Sequence, residues 1–146
     1  MGARHWHVAR AKRHKEVADF LAENGHHDWA AVALFYSALQ WVHSSLADEP
    51  GLPRDERHPR KHTAPAGEAN AGRGVNQLVR DIYPSVHESY RSLFELSHRT
   101  RYDVMKLASP IGVDALWQLW LMQFDTVQNH CQGLNQSRET ISSQAP

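Results

Sequence analysis

Apolar side chains recur every three or four residues along most of this 146-residue chain, which is the spacing of one face of an α-helix. The most apolar segment is 28–48, where alanine, leucine, valine and aromatic residues cover more than half of the helical circumference. A helix with so wide an apolar face is buried on several sides. The pattern therefore predicts a central helix, with Asp28 as its N-cap residue.

Three further helical regions accompany the central one. A thin apolar stripe predicts a first helix over 8–24, which Asn24-Gly25 ends because both residues tolerate a left-handed backbone. A third region runs from 75 to about 107 and should break at Tyr83–Pro84, since proline lacks a backbone donor. A last helix is expected from 113 to about 134. No segment looks like a strand, so the predicted fold class is all-α, an up-and-down bundle of four to five helices.

Residues 49–74 interrupt this pattern with four prolines, four glycines and almost no apolar side chain. They predict one long polar loop between helices 2 and 3, and a loop of this length is usually functional or disordered. The loop also carries a dense set of ionisable side chains: Arg54, Arg57, His58, Arg60, Lys61, His62 and Arg73. The whole chain, 1–146, is expected to form a single domain in which 1–7 and 136–146 fray.

Charge and cysteine usage narrow the function classes. Sixteen basic and sixteen acidic residues give a formal net charge of zero, so no overall field draws the protein to nucleic acid or to a membrane. The single cysteine, Cys131, falls on an apolar helical face and suits a reducing compartment. No apolar run approaches the roughly 20 residues of a membrane span, and the basic N-terminus lacks the apolar core of a secretion signal. The expectation is a cytoplasmic protein without membrane contact.

Three segments resemble the small helical domains called HEPN: FYSALQWVHSSL, a histidine after a polar loop, and LFELSHRTRYD. The resemblance covers roughly 28–104 and implies a bundle of four or five helices that frequently forms a homodimer. It also implies a role in defence, toxin–antitoxin or nucleotide-handling systems, with an operon-encoded partner protein as one possibility and with no cofactor. In such domains Arg101, Tyr102 and Asp103 would form a structural corner.

Some HEPN members are metal-independent ribonucleases that use an arginine, four to six residues, and then a histidine across a dimer interface. Arg57 and His62 have four residues between them, and Arg80 and His87 have six. In this chemistry the histidine transfers protons and the arginine stabilises charge on the phosphoryl transition state. Because the chain has 11 histidines and 16 lysines plus arginines, such pairs also arise by chance. One pair or neither is catalytic, and ordinary surface residues are the alternative.

Further side chains are candidates for binding. Cations at five positions could contact phosphates, with Trp6 stacking a base, although a solvated charged face has the same composition. These cations are Arg10, Arg13, Arg60, Lys61 and Arg73. His58 and His62 would share a face if their loop were helical, but a zinc site needs three or four ligands, so no metal is expected.

His43 and the aromatic residues of the last helix can each be interpreted as structural or as functional. His43 lies on the apolar face of the central helix, either as a hydrogen-bonded core histidine or in a polar centre facing His62. Trp117, Trp120 and Phe124 either belong to the core or supply a dimer interface.

The sequence therefore predicts a HEPN-like protein that acts in nucleic-acid or nucleotide handling. The concrete form of this prediction is a metal-independent endoribonuclease of a defence or toxin–antitoxin system. The alternative is a non-catalytic helical interaction module that binds a partner protein or a nucleotide. Geometry discriminates between them, because catalysis requires an arginine and a histidine to converge.

Overall fold

A computed structural model describes residues 2–60, 62, 72–102 and 113–145, with side chains throughout except at 101, 102 and 113–115. Within these ranges the chain forms five α-helices and two single 3-10 turns, at Arg54–Glu56 and Pro84–Val86. The helices are α1 (Ala3–Glu23), α2 (His27–Leu46), α3 (Val75–Ile82), α4 (His87–Tyr102) and α5 (Val113–Gln144). The described ranges contain no strand, which confirms the all-α prediction.

Helices α1 and α2 form an antiparallel hairpin around a glycine turn. The α1 helix ends at Glu23, and Gly25 has a φ of 80°, so the predicted stop is confirmed. The amides of Gly25 and His26 donate back to carbonyls in the last turn of α1, the usual pattern of a glycine-capped helix end. Small residues face each other along the hairpin, and the Ser37 hydroxyl donates to the Ala11 carbonyl at 2.6 Å.

The central position predicted for α2 is confirmed. It packs against α1, α4 and α5, and twelve of its residues are buried. Its start differs from the prediction, because α2 begins at His27 with His26 as N-cap residue and Asp28 inside the first turn. The turn at Gly25 leads directly into the helix, and the His26 carbonyl already accepts from the Ala30 amide at 2.9 Å.

Both ends of the chain are more ordered than predicted. The expectation that 1–7 and 136–146 fray is wrong for most of these residues, since α1 begins at Ala3 and α5 continues to Gln144. Ion pairs accompany this order, because Arg4 near the start of α1 contacts Asp48 at 3.0 Å and Glu139 near the end of α5 at 3.1 Å. Contacts of this kind form between polar residues, so the apolar pattern of the sequence does not predict them.

The break between the third and fourth helices is confirmed at Tyr83–Pro84. Tyr83 ends α3 with a φ of −120°, and Pro84 opens the 3-10 turn that leads into α4. The Tyr83 ring is buried with 3% exposure, so the break is fixed by packing. The backbone of α4 ends at Tyr102, whereas the side chains of Arg101 and Tyr102, all of Asp103 and the link 103–112 lie outside the described residues.

The aromatic residues of α5 belong to the core. Trp117 is 7% exposed, Phe124 is 0% exposed, and Trp120 packs against the core while partly buried. Cys131 on the same helix is fully buried, and burial raises the pKa of its thiol to about 12. None of the described helices has the length and apolar character that crossing a bilayer would require.

Candidate functional site

Two histidines meet across the α1–α2 hairpin. The rings of His7 and His43 are stacked, with centroids 5.2 Å apart and an interplanar angle of 18°. His7 Nδ1 lies 2.7 Å from Gln40 Oε1, which fixes the orientation of the ring. In an antiparallel hairpin centred on Gly25, residues 7 and 43 are equally far from the turn, so the hairpin itself brings them together.

The loop after α2 adds two more histidines to this pair. The His62 ring lies 5.7 Å from that of the buried Phe35 on α2 and 5.6 Å from that of the partly buried Phe94 on α4. His58 and His62 are both close enough to His43 to disfavour its protonation. We call His7, His43, His58 and His62 the histidine cluster. The proximity of His43 and His62 agrees with the polar-centre alternative considered for His43.

Burial sets the protonation state of the cluster. Loss of solvent lowers the pKa of His43 to about 4, with further contributions from His7, His62 and His58. The pKa of His7 is also lowered, mainly by burial, although its contact with Gln40 acts in the opposite direction. His43 is therefore a neutral imidazole near pH 7.

Both ends of the segment that carries His58 and His62 are anchored. At its start, Arg57 Nε donates to the Leu52 carbonyl at 3.0 Å, and Leu52 is itself buried. At its end, the His62 carbonyl accepts from the Asn76 amide at 2.8 Å, next to Gly74. A Cβ atom at Gly74 would lie 2.5 Å from that carbonyl oxygen, so only glycine fits at this position without a shift of the backbone.

Replacing Gly74 by alanine should lower the free energy of unfolding by about 1 to 3 kcal/mol, because backbone atoms must move to admit the methyl group. Urea denaturation measures this loss. Gly72→Ala is the matched control, since a Cβ atom at that exposed position meets no atom of the described residues within 4 Å. An equal effect of both substitutions would show that the close approach at Gly74 does not constrain the loop.

The second predicted pair has a different environment. Arg80 is exposed and its Nε donates to Asp81 at 2.9 Å, and Arg73 also contacts Asp81 at 3.3 Å and Glu56 at 2.8 Å. In the described part of the chain no contact joins Arg80 to His87, whose Nδ1 lies 3.7 Å from a Glu88 carboxylate oxygen. The charges around Arg73 and Arg80 are thus balanced by neighbouring carboxylates.

The other predicted binding residues lie in separate parts of the chain, Arg10 and Arg13 on α1 and the rest after α2. Arg10, Arg13 and Arg60 are exposed, and Lys61 lies outside the described residues. The segment around His58 is a bend and not a helix, so the helical arrangement required for paired metal ligands does not form. Among described residues, no three histidine, cysteine or acidic side chains converge as a metal site requires.

A carboxylate network missed by sequence reasoning lies where α2, the 83–84 break and α5 meet. Glu49 is 9% exposed and accepts from Tyr83 Oη at 2.8 Å, from Arg138 at 2.7 Å and from the Gly51 amide at 3.2 Å. Burial alone would raise the pKa of Glu49, but these donors together hold it below its ordinary value. The network joins the end of α2, the break at Tyr83 and α5. In the sequence, the single arginine of the polar tail, Arg138, was its one visible sign.

A separate surface pocket of about 210 Å³ is lined by Asp19, Ala22, Glu23, His27 and Trp117. Of its two carboxylates, Asp19 is paired with Lys15 and Glu23 disfavours phosphate groups. The pocket is therefore unsuited to the nucleic-acid chemistry considered for the cationic residues.

No protein-family model, curated protein or solved structure matches this chain. The resemblance to HEPN domains therefore rests on the quoted sequence segments and stays a hypothesis. The fold agrees with it only at the level of an all-α bundle.

Proposed function

We propose that this chain is a HEPN-like protein that handles RNA or nucleotides, and that it cleaves RNA without a metal at the histidine cluster. A defence or toxin–antitoxin system is the setting that the resemblance suggests. The observation that supports the site is the stacked pair of His7 and His43, with His58 and His62 near enough to disfavour protonation of His43 and on the same loop as Arg57. Within the described ranges Arg80 and His87 each lie beside a carboxylate, at Asp81 and at Glu88.

The histidine cluster and Arg57 together supply the groups that RNA cleavage by the 2′-hydroxyl needs. His62 accepts the proton of the 2′-hydroxyl, whose oxygen attacks the adjacent phosphorus. Arg57 stabilises the additional negative charge on the phosphoryl oxygens, since among the described residues its guanidinium contacts only the Leu52 carbonyl, through Nε. The exposed His58 donates a proton to the leaving 5′-oxygen, which yields a 2′,3′-cyclic phosphate and a 5′-hydroxyl.

The two hairpin histidines support this chemistry through their charge state. Because the pKa of His43 is lowered to about 4, this ring carries no charge near pH 7. A neutral His43 adds no positive charge next to His58 and His62. His43 is thus a positioning residue, which is consistent with the structural role predicted for it.

Cleavage of a fluorescent RNA in the presence of a chelator tests the proposal. We expect His62→Ala and Arg57→Ala each to lower kcat/KM by about 100-fold or more, the usual contribution of an acid–base or charge-stabilising group. His87→Ala and Arg80→Ala are matched controls from the second pair and should retain activity. An RNA with 2′-deoxy residues should resist cleavage, because it lacks the nucleophile.

Other results would reassign the function. Loss of activity only in the His87 and Arg80 variants would place the reaction at the second pair, across an interface between two copies. No cleavage by the wild-type protein would favour the non-catalytic interaction module that binds a partner protein or a nucleotide. Size-exclusion chromatography with light scattering, run beside the assay, measures whether the active species is the expected homodimer.

A further inference from the structure

The solvent-facing side of α1 carries five side chains at alternating spacings of four and three residues. We call Trp6, Arg10, Arg13, Val17 and Phe20 the α1 stripe. These spacings place all five within about 40° of one line along the helix. The fully buried Ala11 and Ala18 lie about 120–140° around the helix from Trp6, on the side that contacts α2. The α1 stripe therefore faces away from the bundle.

The α1 stripe is exposed along its length. Trp6 is 54% exposed, Val17 41% and Phe20 64%. The α1 stripe therefore contains three of the seven exposed large apolar side chains among the described residues. The Arg10 guanidinium lies 4.7 Å from the centroid of the Trp6 ring. Exposed aromatic rings interleaved with cations are the combination that single-stranded nucleic-acid sites use.

The charges of α1 favour a polyanion. The chain has no acidic residue before Glu16, although the positive end of the helix dipole favours acidic side chains there. Arg4 and Lys15 are neutralised by ion pairs with carboxylates. Arg10, Lys12 and Arg13 form no ion pair within the described ranges. Unbalanced cations at this end lower the stability of α1 unless a partner supplies negative charge.

We propose that the α1 stripe binds single-stranded RNA, with bases stacked on Trp6 and Phe20 and phosphates on Arg10 and Arg13. The inference rests on the proposed function, since it assigns the substrate strand a path to the histidine cluster. The Trp6 ring contacts the His7 ring edge-on at 5.0 Å, so a base stacked on Trp6 would lie beside that cluster.

Other occupants fit the α1 stripe less well. A second copy of the helix would bring the arginines of both copies together at the middle of the seam, where like charges repel. In duplex RNA the base faces are already stacked on each other, so the exposed rings of Trp6 and Phe20 would have no partner. An acidic protein helix satisfies the arginines but does not require the aromatic rings.

Fluorescence anisotropy with a labelled, fully 2′-O-methylated oligouridylate tests the inference, because this strand cannot be cleaved through its 2′-position. We expect Trp6→Ala and Phe20→Ala each to raise Kd by about 5-fold or more, from the loss of one stacked base. Arg10→Gln should also reduce the slope of log Kd against log salt by about 0.7, the value for one phosphate contact on a single strand. A duplex of the same length should bind more weakly.

Lys12→Gln is the matched control, since it removes the same charge from an exposed position about 120° away from the α1 stripe. Equal losses in Lys12→Gln and Arg10→Gln, with no effect of Trp6→Ala, would overturn the inference and leave only general attraction of polyanions. Displacement of the strand by polyglutamate, with the aromatic variants unchanged, would instead indicate an acidic protein partner. Circular dichroism checks that every variant retains its helices.

Binding and cleavage can fail separately. Stripe-dependent binding by a protein that cleaves no RNA would overturn the proposed reaction but support the α1 stripe. Cleavage with the same KM in the wild type and in Trp6→Ala would support the reaction and overturn the α1 stripe.

Discussion

Replacing Arg138 by methionine is expected to lower the free energy of unfolding by about 3 to 5 kcal/mol. The substitution leaves the Glu49 carboxylate buried, and Tyr83 and the Gly51 amide are its remaining donors among the described residues. It also removes the 2.6 Å bond from Arg138 to the Ser45 carbonyl, which joins α5 to the end of α2. A buried charge that loses its counter-charge keeps its desolvation penalty, so the loss should exceed that of a surface ion pair. Urea denaturation at pH 7 measures it.

Arg4→Met provides the comparison. Arg4 also joins α5 to the end of α2, but the side chains of its partners Asp48 and Glu139 are 48% and 53% exposed. Exposed pairs contribute about 0–1 kcal/mol, so this variant should unfold at nearly the wild-type urea concentration. Combining Arg138→Met with Glu49→Gln should recover part of the stability, because no unpaired charge then remains. If Arg138→Met lowered the free energy of unfolding no more than Arg4→Met does, the buried network would not be a main source of stability.

Elements with a strong apolar pattern were predicted well, and polar contacts were not. The apolar face of α2, the stop at Gly25 and the break at Tyr83–Pro84 are local features that a sequence displays directly. The last ten residues of α5 have no such pattern. They stay helical with Arg138 and Glu139 paired to residues of α1 and the end of α2. Long-range ion pairs of this kind have no periodic signature.

For the same reason the sequence proposes candidate site residues without showing which of them lie together. Arg57 and His62 were identified by their spacing, but spacing does not show which of two similar pairs lies near other titratable groups. One signal was available in the sequence. In a hairpin that turns at Gly25, contacting residues have numbers that sum to about 50, as Arg4 and Asp48 or His7 and His43 do. How close His58 and His62 come to His43 depends on the packing of the loop, which no such numbering rule predicts.

The histidine cluster should make the protein lose stability as the pH falls from 6.5 toward 4. The pKa of His43 is lowered from 6.5 to about 4 in the folded state, so in this range the unfolded chain binds the proton more readily. Stability is therefore complete above pH 6.5 and declines below it. At about 1.4 kcal/mol for each pH unit, His43 alone accounts for a decline of about 3 kcal/mol. The lowered pKa of His7 adds to it in the same direction.

Urea denaturation at intervals between pH 7 and 5 separates this effect from that of the buried carboxylate. The pKa of Glu49 is held below its ordinary 4.5, so its stabilising contribution persists above that pH and is lost only as the pH falls further. Between pH 6.5 and 5, His43→Gln should therefore flatten the decline by about 2 kcal/mol, because glutamine does not titrate. His5→Gln, an exposed position on α1, should keep the wild-type slope. If His43→Gln declined as steeply as the wild type, the buried histidines would not be the origin of the acid sensitivity.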